Sequence, residues 1–385
     1  MLEKIVEFQI PTQVLLGVGA LQHVVEQVKI GDQPKVLIAT DQGVSRAGLL
    51  DMLTAVLEMG RVPFALFDET EPNPSVETVE KATDLFHHEA CTSVVGLGGG
   101  SSMDVAKAAA VMATNPGSIR DYEGIGKIGQ KPAPIIAIPT TAGTGAEVTP
   151  FIVITDVARR CKMTIGGPQA IPSVAIVDPS LMATMPAHIA ASTGLDALTH
   201  GIECYTSLMS QPFTEALALH GIHLIGENLR KGVANRSNLE AMANLAIAST
   251  MVASAFSFTR LGNCHAMAHP LGGFYNIPHG VANAILLPHI MKYNALACPE
   301  KMRRAAQALG ATVCGLSPQK AAAVAVEEVL QLKADVGVVA GLRELGVQED
   351  EISSMAADAM KSGNITVNPR QTSLEDIVAL YHAAM

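Results

Sequence analysis

Seven of the twelve histidines lie between positions 200 and 289, and their spacing says more than their number. Asp196 and His200 stand four residues apart in Gly194-Leu-Asp-Ala-Leu-Thr-His200, so a helix would place both side chains on one face, where they can chelate together. His265 and His269 repeat that spacing, and His279 follows in the turn-like segment Tyr275–Gly280. One carboxylate and three imidazoles, Asp196, His200, His265 and His279, make a mixed nitrogen and oxygen donor set. Such a set suits Fe²⁺ or Zn²⁺, suits Ca²⁺ poorly, and leaves room for a substrate oxygen. Taken singly, a histidine on an apolar helix is more often a hydrogen-bonded core residue than a ligand. The constellation carries the reading. His220 and His223 read as structural, lacking an acidic or histidine partner at chelating spacing, and His289 is read the same way.

A second chemical feature is Ser93-Val-Val-Gly-Leu-Gly-Gly-Gly-Ser101-Ser-Met-Asp104-Val-Ala-Lys107, an apolar strand, a glycine-rich turn and an Ala-rich helix in succession. Glycines let a backbone approach a pyrophosphate, and the free amides of a helix N-terminus supply donors and partial positive charge. Gly98, Gly99, Gly100 and Ser101 are the expected contacts. The dinucleotide fingerprint is not met strictly, because Ser101 falls where its third glycine belongs, and a plain strand-to-helix turn is the competing reading. Asp41 directly follows the apolar run Lys35–Thr40. There a carboxylate either bonds a ribose 2′-hydroxyl, favouring NAD over NADP, or simply caps the next segment. The turn Pro139-Thr-Thr-Ala-Gly-Thr-Gly-Ala-Glu147 follows another strand and adds hydroxyls at Thr140, Thr141 and Thr144, so that two polar strand ends define one crevice.

These groups need a scaffold. The first half shows nearly continuous apolar runs at Lys35–Thr40, Pro63–Phe67, Ser93–Leu97, Ile135–Ile138 and Ser173–Val177, separated by helical segments. That is the rhythm of parallel strands buried on both faces. Phe151–Thr155 and Cys161–Ile165, joined by Asp156–Arg160, are expected to form an antiparallel hairpin beside that sheet. From about Pro186 the chain turns Ala-, Leu- and Met-rich with helical periodicity and no convincing strand. Residues 1–185 are therefore expected to form a Rossmann-like α/β domain and residues 186–385 an all-α domain. With no repeat and no low-complexity linker, the two are expected to pack directly and leave a cleft.

Composition narrows the function. Apolar residues make up 49% of the chain and charged residues 16%, which argues for well-buried elements. A net charge of −10 without Lys/Arg runs disfavours a nucleic-acid partner. Met1–Ile10 lacks the features of a signal peptide, and the six cysteines (Cys91, Cys161, Cys204, Cys264, Cys298, Cys314) sit far apart without a C-x-x-C pair. They read as buried thiols of a cytoplasmic protein. Ala241–Thr259 has no charge, yet Asn244, Ser249, Thr250, Ser254 and Ser257 interrupt it, favouring a buried core helix over a membrane span.

Four blocks, GGGSSMDVAK (Gly98–Lys107), PTTAGTGAEVT (Pro139–Thr149), GLDALTHGIE (Gly194–Glu203) and CHAMAHPLGGFYNIPHGVANAILLPH (Cys264–His289), together resemble the iron-containing, or group III, alcohol dehydrogenases. That family includes lactaldehyde reductase and propanediol dehydrogenase, and the resemblance spans nearly the whole chain. It implies the dehydroquinate synthase-like fold, an N-terminal nucleotide-binding α/β domain followed by a helical metal-binding domain. NAD(H) is the implied cofactor, with Asp104 and Thr149 in the matching blocks added to its site, and one Fe²⁺ or Zn²⁺ is held by Asp196, His200, His265 and His279. His269 is implied to lie beside the metal without ligating it and to move protons. Lys162 resembles the family lysine near the nicotinamide ribose, or else is a solvated hairpin charge. A homodimer or larger homo-oligomer is also implied.

Two departures stand out. Many relatives carry Ser where this chain has Ala146, a small change. Ahead of His265, where relatives commonly place small or amide residues, this chain reads Phe256-Ser-Phe258-Thr-Arg260-Leu-Gly262. Facing the cleft, Arg260 would bind a short anionic aldehyde such as sulfoacetaldehyde or succinate semialdehyde; facing outward, it is a surface charge. Phe151 and Phe256 are expected to be apolar walls for a short substrate. The expected reaction is reversible hydride transfer between a small primary alcohol or aldehyde and nicotinamide. A lyase of the same fold, as in the dehydroquinate synthases, and a non-catalytic binding protein are the other readings. The four intact blocks argue against both.

Overall fold

The computed structural model describes residues 5–28, 34–159 and 161–385. Met1–Lys4 of the N-terminal segment and Arg160, the last residue of the expected hairpin connection, lie outside the described residues. Two compact units are present: Ile10–Met185, and Pro186–Met385 together with residues 5–9.

The first unit is built on a six-stranded parallel sheet. Its strands are β1 (Gln13–Leu16), β2 (Val36–Ala39), β3 (Phe64–Phe67), β4 (Ser93–Gly98), β6 (Ile135–Pro139) and β9 (Val174–Val177), in the order β1-β9-β6-β4-β2-β3. Central strands bury both faces. Val36, Ile38, Val95, Leu97, Ile136 and Ile138 pack in one layer with Leu53 and Leu57, while Leu37, Ala39, Val94 and Ile135 pack in the other with Ala106, Ala109 and Ala110. The run-like, non-alternating sequence of these strands follows from that two-sided burial. A separate three-stranded sheet, β5-β8-β7, holds β5 (Gly124–Ile125), β7 (Phe151–Asp156) and β8 (Cys161–Gly166), with β7 and β8 antiparallel. The expected hairpin thus forms within its own small sheet.

Strand order fixes where a ligand site can form. From β2 the chain steps outward to β3, then crosses back to lay β4 on the other side of β2, and continues through β6 and β9. The order reverses between β2 and β4, the position at whose carboxyl ends open α/β sheets bind ligands. Asp41, the Gly98–Ser101 turn and the Thr140–Thr144 turn follow β2, β4 and β6, three neighbouring parallel strands.

The second unit contains no strand among the described residues. Its longest helices are Ala187–Thr206, Pro212–Ala234 and Leu239–Thr259, followed by Asn263–Tyr275 and His279–Asn294. Leu239–Thr259 is long and apolar enough to cross a membrane by length and composition, but it packs against both preceding helices as a core element. Residues 5–9 go with this unit, in part because Phe8 stacks on Phe213 at 5.6 Å and lies 5.2 Å from the Phe258 ring. The cysteines are all free, but only Cys91, Cys204 and Cys264 are buried; Cys161 and Cys298 are intermediate and Cys314 is exposed, because wide spacing along the chain does not report burial.

Candidate active site

At the β2/β4 switch, Asp41 does two things. Its Oδ1 accepts from the backbone N–H groups of Gly43 (2.8 Å) and Val44 (3.0 Å), capping the helix Gln42–Arg46, while Oδ2 accepts from the Ser102 hydroxyl at 3.0 Å. The cap expected from sequence is present, and Ser102, not foreseen, ties it to the glycine turn. Gly98 has φ 148°, and a Cβ there would strike the Ser102 side chain. The helix Gly100–Met112 starts with Gly99 as its N-cap and no side-chain cap, leaving its first amides available to an anion. The second turn abuts the first. Thr140 N–H donates to Gly98 O at 2.9 Å, Thr141 lies 3.5 Å from where a Gly99 Cβ would be, and Thr144 lies against Gly100.

Lys107, another residue that sequence reasoning passed over, fastens this turn from below. It is fully buried, and its Nζ donates to the carbonyls of Ala146 (3.1 Å), Thr149 (2.7 Å) and Phe151 (2.7 Å). Burial draws its ammonium down to about 8, against the pull of Asp104 and Glu147. Desolvation pushes the Asp104 carboxyl up to about 7, opposed by Lys107, the Val153 backbone N–H and Lys162. Thr149 therefore faces Lys107, and Asp104 sits in the same charge cluster. Lys162 Nζ donates to Asn73 Oδ1 at 2.7 Å. Phe151 is half-buried at the start of β7.

In the helical unit the donor atoms of Asp196, His265 and His279 lie within 4.8 Å of one another. Three helices supply them. Ala187–Thr206 carries Asp196, His200 and Glu203 on successive turns of one face; Asn263–Tyr275 carries His265; and His279 opens His279–Asn294. His279 is thus the first residue of a helix and not part of a turn, Pro278 serving as the N-cap after the left-handed Asn276 has ended the previous helix. Gly280 lets its helix approach Ala187–Thr206 closely, since a Cβ there would come 2.5 Å from Ser192 O. The His200 ring stacks on His265 at 4.6 Å and lies tilted against Phe256 at 4.5 Å.

Two further residues complete the cluster. Asn283 Nδ2 is 2.7 Å from Asp196 Oδ1, 3.0 Å from His265 Nε2 and 3.2 Å from His279 Nε2, so these three acceptors aim at a common region. Glu203 Oε2 lies 2.6 Å from His265 Nδ1. Asp196 and His265 are buried, whereas the His279 side chain is 29% exposed, giving the cluster one open side. A buried carboxylate converging with imidazole nitrogens fits a divalent cation of the Fe²⁺ or Zn²⁺ kind. His269, one turn beyond His265, has its ring 5.5 Å from His279.

Other expectations fare differently. Arg260 caps Leu239–Thr259 at φ 55°, is exposed, and its guanidinium presses so close to Gly363 that a Cβ there would strike Nη1. His223 does have an acidic neighbour: Glu227, one turn on, is 3.6 Å from its Nε2. Both are well exposed, so the pair remains a surface contact.

With this geometry in place, comparison with known proteins is specific. The family described as "Iron-containing alcohol dehydrogenase" matches residues 11–179, and "Fe-containing alcohol dehydrogenase family, C-terminal" matches residues 190–385. The chain is 40% identical over 380 residues to 1,3-propanediol dehydrogenase of Klebsiella pneumoniae, covering 98% of each. It is also 40% identical over 370 residues to lactaldehyde reductase of Escherichia coli K12, covering 96% of each. A crystal structure of 1,3-propanediol oxidoreductase superposes with a TM-score of 0.96 at 40% identity, over 99% of this chain and all of that one. The chain belongs to the iron-containing alcohol dehydrogenase family. It is an alcohol dehydrogenase and aldehyde reductase that uses NAD(H) and a divalent metal on small alcohols and aldehydes.

Proposed function

We propose that the chain interconverts short, uncharged primary alcohols and aldehydes, including diols and hydroxy-aldehydes of the propanediol and lactaldehyde kind. The observation that carries this reading is the convergence of Asp196, His265 and His279 within a buried helical site, with His200 stacked on His265. Asp196, His200, His265 and His279 are assigned as the metal ligands. Gly98–Ser101, Asp104, Thr140, Thr141, Thr144, Thr149 and Lys162 are assigned to NAD(H), with Asp41 on the adenosine ribose, where its charge would disfavour a 2′-phosphate.

When bound at these residues, NAD(H) would supply the hydride chemistry and the metal Lewis-acid polarisation of a substrate oxygen. The protein's own groups do the rest. The uncapped amides of Gly100–Met112 hold pyrophosphate. Lys107 fixes the second turn through three carbonyls. The imidazole of His269, beside His279, takes the alcohol proton and returns it in the reductive direction. Phe256, packed on His200, provides an apolar wall. The chain is assigned to the cytoplasm, in line with its free thiols, and, from the family resemblance, to a homodimer or larger assembly.

A neutral substrate is favoured because the Arg260 guanidinium is exposed and packs against Gly363. The test compares propionaldehyde and lactaldehyde with sulfoacetaldehyde and succinate semialdehyde, following loss of NADH absorbance, for wild type and Arg260→Ala. Wild type should prefer the neutral aldehydes, with kcat/KM changed no more than about twofold in the variant, as for an outlying surface charge. A strong preference for an anionic aldehyde that disappears in Arg260→Ala would reverse the assignment.

A further inference from the structure

Glu203 is a buried carboxylate with no cationic side chain bonded to it among the described residues; its partners are a ring nitrogen and two backbone amides. Oε1 accepts from Cys264 N–H at 2.6 Å, and Oε2 lies 3.4 Å from His265 N and 2.6 Å from His265 Nδ1. The helix Asn263–Tyr275 has Gly262 as its N-cap and no capping side chain of its own, so a carboxylate from another helix caps it. Gly262 leaves the space, since a Cβ there would come 2.9 Å from Glu203 Oε1.

The His265 ring is therefore held from both sides. A carboxylate oxygen accepts only, so the proton facing Glu203 is on Nδ1. On the far side stands Asn283 Nδ2, the donating end of that amide, because it also lies 2.7 Å from an oxygen of Asp196 and 3.2 Å from His279 Nε2. A donor there requires a lone pair on Nε2. Both contacts select the same tautomer, the one that turns a lone pair towards Asp196 and His279.

We infer that Glu203 is a positioning residue for the metal centre: it fixes the tautomer and ring plane of His265 and strengthens Nε2 as a donor. Metal retention then depends on a residue outside the donor set. This rests on the metal-site assignment above. A helix cap alone would also explain burial at Glu203, and Glu203→Gln separates the two roles. The amide oxygen can still accept from Cys264 N–H, whereas the amide nitrogen facing Nδ1 forces the ring proton to Nε2 and removes the lone pair from the cluster.

The test uses the full-length protein stripped of metal, with Co²⁺ as probe, its affinity read by chelator competition and its site by visible absorption; thermal melting of the metal-free protein is followed in parallel. Glu203→Gln should lower Co²⁺ affinity about 10- to 100-fold and alter the absorption bands while moving the metal-free melting temperature little. Wild-type affinity and an unchanged spectrum in the variant would overturn the inference, as would a fall in metal-free stability with no change in affinity. If wild type itself bound no Co²⁺, the metal-site assignment would fall, and this inference with it. Where Glu203→Gln does not fold, Gly262→Ala crowds Oε1 and should weaken Co²⁺ binding in the same direction; no weakening there overturns the inference.

Discussion

Lys107 is an ammonium with no exposed surface, held by the carbonyls of Ala146 and Thr149, in the segment that follows β6, and of Phe151, which opens β7. Replacing it with Met keeps the volume and strands those three carbonyls in the interior. Each lost donor to a buried carbonyl costs ~1–3 kcal/mol, so Lys107→Met should lose at least ~3 kcal/mol in urea unfolding, together with NADH affinity. Wild-type stability in that variant would mean the turn holds itself. Residues of this kind were hard to see in the sequence. Asp196 with His200, and His265 with His269, announce themselves by spacing, because two donors four apart on a helix have few other reasons to coincide. Lys107, Asn283 and Glu203 belong to the same motif blocks but carry no such pairing. Glu203 lies seven residues beyond Asp196 on the same face, a helical repeat that could have flagged it, yet its role depends on which helix packs opposite. Arg260 shows the limit from the other direction, since its position past a helix end said nothing of which way the side chain turns.

At the scale of elements, the β7–β8 hairpin is clamped by one carboxylate. Asp156 accepts from Arg120 Nε at 2.9 Å and Arg159 Nε at 2.7 Å, and those hydrogen bonds, Arg120 first, hold its pKa well below the ordinary aspartate value of 3.8. A depressed folded-state pKa means that the stabilisation is complete above that ordinary value and is lost as pH falls through the folded one. Asp156→Asn should therefore unfold at lower temperature than wild type at neutral pH, with the gap narrowing as the pH drops below about 4. A gap independent of pH would assign the loss to packing. The strands legible in sequence were β2, β4, β6 and β9, buried on both faces, the edge strand β3, and the β7–β8 hairpin, all of which read as short apolar runs. β1, an edge strand with both ends exposed, and β5, only two residues long, carry too little hydrophobic pattern to stand out. The start of the His279 helix is hidden for a local reason: Asn276-Ile-Pro278 has turn-like composition, but Asn276 caps the end of one helix and Pro278 is the N-cap of the next.

Across the whole chain, the change from apolar runs to helical periodicity near Pro186 coincides with the boundary between the two compact units, a change of layer architecture. The exception is the first few residues, which sit with the helical unit through Phe8, a single aromatic contact that no periodicity could announce. Strand order then places three loops at the carboxyl ends of neighbouring strands, and helix packing gathers Asp196, His265 and His279 into one cluster with His200 stacked on His265. The central claim is that this cluster is a metal centre on which the chemistry depends. It is tested most directly by stripping the full-length protein of metal and measuring NADH-dependent reduction of propionaldehyde before and after adding Fe²⁺ or Zn²⁺, in wild type and His265→Ala. Lewis-acid polarisation is worth several kcal/mol, so stripping should lower the rate about 100-fold or more, with recovery on adding metal to wild type and none in His265→Ala. Full activity in the stripped protein, or equal recovery in the variant, would contradict it.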